Sequence, residues 1–141
     1  MKTQVDEGKT KNVFLLGQSI GCAFATYTLT NSWNYHGIDP QELFKGVILE
    51  CPFTTLEHVV DHKSPLAAKI LRYIGFFENL NCPNIERIGR ITLPILLIHG
   101  SHDGLVPIKH SRELHAAAVE AKYKRLIAIV KGGHDRLHRF K

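Results

Sequence analysis

The sequence predicts an α/β domain in which a parallel sheet is flanked by helices. Two observations carry this. Apolar runs of strand length recur four times, at residues 13–16, 46–50, 94–100 and 125–130, and segments of helical pattern separate them. Strands that alternate with helices favour parallel pairing through right-handed crossovers. At 141 residues the chain can bury one core and is too short for two, so residues 1–141 read as a single domain.

Composition narrows the classes. A hydrophobic share of 44% and a charged share of 22% are ordinary for a globular domain and argue against disorder. No apolar run approaches the roughly 20 residues of a transmembrane helix. The opening MKTQVDEGKTKN is polar and lacks the apolar centre of a signal peptide, so a cytoplasmic location is expected, with peripheral membrane contact left open. Cys22, Cys51 and Cys82 form no CxxC pair and read as reduced thiols rather than a disulfide framework or a zinc cage. The net charge of +5 is modest, and its share in the tail 136–141 reads as a solvated end. No basic stripe interleaved with aromatics suggests a nucleic-acid partner.

The first run, VFLL, is short, apolar and closed by Gly17, as expected of a strand buried on both faces. Residues 20–31 follow as a helix whose Gly21, Ala23 and Ala25 allow close packing on a sheet. NSWNYHGIDP reads as a loop. GVILE is the second buried strand, closed by Pro52. The pattern changes over 54–90, which reads as a cap or insertion: Ser64 and Pro65 are an N-cap and first helical residue for LAAKILRYIGFF, and Asn84 is expected to cap a short helical turn. PILLIHG is the third strand. Residues 111–121 form a helix with Leu114, Ala117, Ala118 and Ala121 at helical spacing, and RLIAIV is the fourth strand.

In open parallel sheets, chemistry collects beyond the carboxyl ends of the strands. The residues there are Ser19 after the first strand, Glu50 and Cys51 after the second, His102 and Asp103 after the third, and His134 after the fourth. A serine hydroxyl attacks only when a base removes its proton, and that base needs an acid to fix its tautomer. Serine, acid and histidine on separate strand ends are far more specific than any one of them. Ser19 alone, flanked by Gly17 and Gly21, reads equally well as a helix cap.

GQSIG, LPILLIHGSHDGLVP and GGHD together resemble the nucleophile elbow, acid loop and histidine loop of the α/β-hydrolase family, in that family's order of Ser, Asp and His. GQSIG with CPNIERIGRITLPILLIHGSHD is similar, more narrowly, to the abhydrolase-domain 17 branch, whose members remove palmitate from proteins. The resemblance implies a serine hydrolase of the esterase or thioesterase type, without cofactor or metal, acting on an acyl ester or thioester and, in that branch, on a lipidated protein. It makes Ser19 the nucleophile, His134 the general base and acid, and Asp103 the group that orients His134. Ile20 would supply one oxyanion N–H, with Gln18 shaping the elbow and the two glycines relieving crowding around it.

The resemblance also implies a chain that is part of a larger fold. Four strands correspond to the C-terminal half of the family's sheet, so the chain is expected to be a C-terminal fragment. The loop carrying the second oxyanion donor would precede it, and losing one donor costs on the order of 10²–10³ in turnover. The first strand would then be an exposed apolar edge, open to self-association. Two other readings stand beside the esterase: an inactive remnant that serves as a protein-interaction module, and an aminopeptidase-like serine hydrolase.

Bland roles compete at several positions. Asp103 lies among turn residues, and Glu50 is a rival acid. His134 could be a polar loop residue. His58 and His62 are four apart, as helical metal ligands are, but the pattern lacks the HExxH glutamate and reads as surface histidines. His99 reads as a structural strand residue, His102 as a loop neighbour of Asp103, and Cys51 as a small buried thiol. Ile70, Ile74, Phe76 and Phe77 read as packing, with an acyl pocket as the alternative.

Overall fold

The computed structural model describes residues 12–31, 38–135 and 137. The tail residues 136 and 138–141 and most of the N-terminal dodecapeptide lie outside them, as does the 32–37 portion of the expected loop. Strands β1 (Phe14–Gln18), β2 (Gly46–Glu50), β3 (Ile95–Gly100) and β4 (Lys124–Ile129) form one sheet in the order β1-β2-β3-β4, and every pair is parallel. The helices are α1 (Ile20–Thr30), α2 (Leu56–Lys63), α3 (Pro65–Tyr73), α4 (Phe76–Leu80), α5 (Asn84–Ile88) and α6 (Lys109–Ala117). None among the described residues is long and apolar enough to cross a membrane.

The register sets the core. Gly17, Leu49, Leu97 and Leu126 stand level across the sheet. Val47 and Leu49 of β2 and Ile95 and Leu97 of β3 point to one face, where they meet Cys22, Ala25 and Leu29 of α1, Ile88 of α5 and Leu114 of α6. Helix α5 lies between α1 and α6, so Ile88 and Ile91 belong to the main core even though they fall in the 54–90 segment. A smaller cluster of Ala23, Phe53 and Val106, with Leu56 and Val59 against it, ties α1 and α2 to the loop after β3. The expectation that the first strand is buried on both faces is not met: Val13 and Leu15 pack on the core, but Phe14 is 56% and Leu16 60% exposed, because β1 is the edge strand and, among the described residues, no helix covers their face.

Local chemistry sets most element ends. Thr55 opens α2 by accepting the His58 N–H at 3.2 Å, and Ser64 opens α3 by accepting the Ala67 N–H at 3.3 Å. The single helix expected after Ser64 is broken at Gly75, whose φ of 71° is left-handed, and α4 restarts behind it. Asn84 is not a cap but the first residue of α5. Its buried amide donates to the Phe53 carbonyl at 2.9 Å and its oxygen accepts from the Thr26 hydroxyl at 2.7 Å, joining α5 to α1. Helix α6 ends earlier than the apolar spacing suggests, because Ala118 leaves helical geometry at ψ 67°.

His110 of α6 is 1% exposed. Its Nδ1 lies 2.9 Å from the Thr54 hydroxyl, and its Nε2 has no hydrogen-bond partner among the described residues. Burial, helped by the charges of Lys109, His58, His99 and His62, pushes its pKa down to about 4. The unfolded chain protonates this imidazole near pH 6.5 and the folded chain does not. Stability is therefore complete above pH 6.5 and falls as the pH drops toward 4, by a few kcal/mol at most. Urea midpoints at pH 7 and pH 5 check this: the wild-type midpoint drops, and His110→Gln shows a smaller drop.

Candidate active site

Parallel strands deliver their carboxyl ends to one rim, and the site is built there. β1 ends at Gln18, and Ser19 turns the chain into α1 with φ 50° and ψ −118°, a backbone that serine rarely adopts. Two features hold it. The Ser19 N–H donates to the Glu50 carbonyl at 2.9 Å, which extends the β1–β2 ladder past the strand end. Gly17 lets the first turn of α1 fold back on β1, since a Cβ there would lie 2.7 Å from the Gly21 carbonyl oxygen and 2.8 Å from the Cys22 Cα. Gly21 does not share this role: a Cβ on it would meet nothing within 4 Å, so only the first glycine relieves crowding. The side chain of Gln18 is exposed. Ile20 begins α1, where a helix has no internal acceptor for its N–H.

The loops after β3 and β4 are joined backbone to backbone. Ser101 donates to the Ile129 carbonyl and His102 to the Gly132 carbonyl, both at 2.9 Å, and the Ser101 hydroxyl accepts from the Lys131 N–H at 2.9 Å. Gly100 is the close-approach point, because a Cβ there would collide with the backbone of Gly132 and Gly133. This junction brings Asp103 and His134 together. His134 Nδ1 lies 2.7 Å from Asp103 Oδ2, and its Nε2 lies 2.9 Å from the Ser19 hydroxyl. Since Asp103 can only accept, Nδ1 carries the proton and Nε2 is free to accept from Ser19.

Asp103 is buried, which by itself pushes its carboxyl up. The side chain of His99, the Val106 N–H, His134 and the Leu105 N–H outweigh this and hold it well below the usual carboxylate range. Leu105 and Val106 donate to Oδ1 at 2.9 and 2.8 Å. Glu50, the rival acid, serves the site through its backbone carbonyl, and its carboxylate makes no hydrogen bond to His134 among the described residues. The Cys51 thiol is fully buried, and its Sγ lies 3.6 Å from the His134 carbonyl as a donor. Burial pushes it up to about 12. Cys51, His99 and Asp103 hold their donor atoms within 4.8 Å of one another, a spacing that also suits a metal ion. Here the Cys51 thiol donates to the His134 carbonyl and His99 Nε2 faces the Val106 carbonyl at 2.8 Å, so each of these two donors already has a protein partner. His58 pairs with Thr54 at 3.0 Å, and the exposed His102 with Ser101 at 3.0 Å. The approach of His99 to Asp103 went unread in the sequence. Its only signal there is a histidine four residues ahead of the acid.

Comparison with known proteins identifies the family. A family model described as "Serine hydrolase (FSH1)" matches residues 4–135. The chain is 32% identical over 124 residues to the uncharacterized protein YfhR of Escherichia coli K12, which covers 88% of this chain and 38% of that protein. It is 26% identical over 122 residues to the lysophosphatidylserine lipase ABHD12 of Danio rerio, covering 79% of this chain and 30% of the lipase. The chain thus spans about a third of the length of the curated relatives it matches. An esterase from Pyrococcus furiosus superposes with a TM-score of 0.64 at 18% identity, over 96% of this chain and 51% of the esterase. That likeness shows the fold, a parallel α/β-hydrolase sheet flanked by helices.

The two glycines of the turn predict opposite outcomes. Gly17→Ala drives a methyl group into the backbone of α1 and is expected to cost about 1–3 kcal/mol. Gly21→Ala sits in open space within a helix and is expected to be neutral or stabilising by up to about 1 kcal/mol. Chemical denaturation of the two variants measures the difference.

Proposed function

The chain belongs to the FSH1 serine hydrolase family, and from that premise we propose that it cleaves carboxylic esters or thioesters through an acyl-enzyme on Ser19. The observation that carries this reading is the unbroken line Asp103–His134–Ser19, with hydrogen bonds of 2.7 and 2.9 Å, ending on a serine in a strained strand-to-helix turn. His134 Nε2 takes the hydroxyl proton as Ser19 Oγ attacks the acyl carbon. The Ile20 N–H donates to the oxyanion that forms. Collapse breaks the bond to the leaving alcohol or thiol, which takes the proton from His134. Water then attacks the acyl-serine with His134 again as base, releasing the acid and restoring Ser19. Asp103 keeps Nδ1 protonated and stabilises the imidazolium at each step.

The substrate class is argued from the segment beside the site. Helices α2–α4 stand next to the acid loop, where the Lys63 ammonium donates to the Gly104 carbonyl, and we read the 54–90 segment as the cap, with these helices its part beside the site. Ile70 is 53% and Ile74 64% exposed, an apolar surface suited to an acyl chain, whereas Phe77 is buried and serves packing. The motif resemblance to the abhydrolase-domain 17 branch favours an S-palmitoylated protein as substrate.

A second reading is supported by the edge strand. The exposed Phe14 and Leu16, on a strand whose outer edge is unpaired among the described residues, suit pairing with another chain, as an inactive interaction module would use. Light scattering separates the two: a soluble dimer that no active-site probe labels supports the module, and a reactive monomer removes it.

A fluorophosphonate probe tests the hydrolase. Wild-type protein is expected to be labelled and Ser19→Ala not. Asp103→Asn presents an amide donor to Nδ1, forces the wrong tautomer and is expected to slow the reaction on the order of 10⁴-fold. Folded wild-type protein that takes no label overturns the proposal.

A further inference from the structure

Asp103 stands between two histidines, and only one of them belongs to the proposed triad. His99 lies at the carboxyl end of β3 and is fully buried. Its Nδ1 is 2.6 Å from the Ser111 hydroxyl of α6. Its Nε2 is 2.8 Å from the Val106 carbonyl and 3.3 Å from Asp103 Oδ2. Both groups facing Nε2 are acceptors, so the ring must carry a proton there, and Nδ1 is left to the serine hydroxyl. We propose that His99 is a positioning residue for Asp103, holding its carboxylate in the plane that directs Oδ2 at His134. The proposal rests on the triad reading.

The argument is geometric. Oδ1 accepts from the Leu105 and Val106 N–H groups of the acid's own turn, so the plane of the carboxylate is only as rigid as that turn. Oδ2 is flanked by His134 at 2.7 Å and by His99 at 3.3 Å, and His99 reaches it from β3, outside the turn. The same Nε2–H also anchors the Val106 carbonyl, so the turn 103–106 is held from both its side-chain and main-chain ends. Ser111 fixes the ring through Nδ1 and so ties the orientation of the acid to α6. An apolar residue at 99 would leave a buried carbonyl without a partner and the carboxylate with one flank open.

The test uses His99→Met, which fills the space without an N–H, and His99→Gln, whose amide nitrogen reaches the Nε2 position. Two readouts follow each variant. One is the low-field proton resonance of His134 Nδ1–H, which reports its hydrogen bond to Asp103 without turnover. The other is the rate of fluorophosphonate labelling. His99→Met is expected to shift or broaden the resonance and to slow labelling about 10- to 100-fold, the scale of a small misplacement of a catalytic group. His99→Gln is expected to recover most of both. A wild-type resonance and rate in His99→Met overturns the proposal, and so does a His99→Gln variant as impaired as His99→Met. Should His99→Met fail to fold, Ser111→Ala frees the ring at Nδ1 and is expected to move both readouts in the same direction by less; wild-type values there overturn it equally. Wild-type protein that takes no label counts against the hydrolase reading, whereas the His134 resonance still decides the role of His99.

Discussion

The buried negative charge of Asp103 is the constraint around which the rim of the sheet is organised. A carboxylate removed from water is costly unless donors replace its hydration. Here the donors come from its own turn through Leu105 and Val106, from β3 through His99, and from the loop after β4 through His134. The buried charge is therefore compensated only when β3, the acid turn and the histidine loop are all in place. The backbone bonds of Ser101 and His102 to the β4 side secure that condition independently of the side chains. Charge and backbone thus specify the same arrangement, which is how a loop comes to hold a side chain as firmly as a strand does.

Ser19 is held by a different balance. Its left-handed backbone costs on the order of 1–3 kcal/mol and persists only where neighbours over-determine it. Those neighbours are the Glu50 carbonyl, which captures its N–H, and α1, which packs against Gly17 too closely for any side chain at that position. The Cys22 thiol adds a bond to the Gly17 carbonyl at 3.2 Å, inside the same turn. The strain lifts the hydroxyl above the strand ends, within reach of His134 across the sheet.

Much of this was legible in the sequence, for physical reasons that differ by element. The four strands were readable because each contains a short apolar run, FLL, VIL, ILLI and LIAI, set off by turn residues or by helical pattern. The Ser19, Asp103 and His134 positions were readable because chemistry at strand ends needs specific residue types, and three of them fell in one order. Helix α2 was not read as an element: none of its residues is fully buried, so it offers no clear apolar stripe, and only the Thr55 cap marks its start. Asn84 misled because asparagine is both a good cap and a good bridge, and only tertiary contact with Thr26 and Phe53 decides between them. His99 was invisible as a partner of Asp103 because its role depends on Ser111, a residue of another helix.

The two faces of the sheet bear unequally on the site. Helices α1, α5 and α6 cover the face that carries Val47, Leu49, Ile95 and Leu97, while Ile48, Leu96, Ile98 and Ile127 on the other face are half-buried and Phe14 and Leu16 are exposed. Runs as apolar as FLL and GVILE are the composition of strands covered on both sides. Every contact that sets the geometry of Ser19, Asp103 and His134 nevertheless comes from the strand ends, the loops between them, or the covered helical layer. The Asp103–His134–Ser19 line is therefore assembled although, among the described residues, the second face is uncovered. What that face and the β1 edge govern is stability and association, and the placement of Asp103 and His134 at the rim draws on the helical layer and the loops instead.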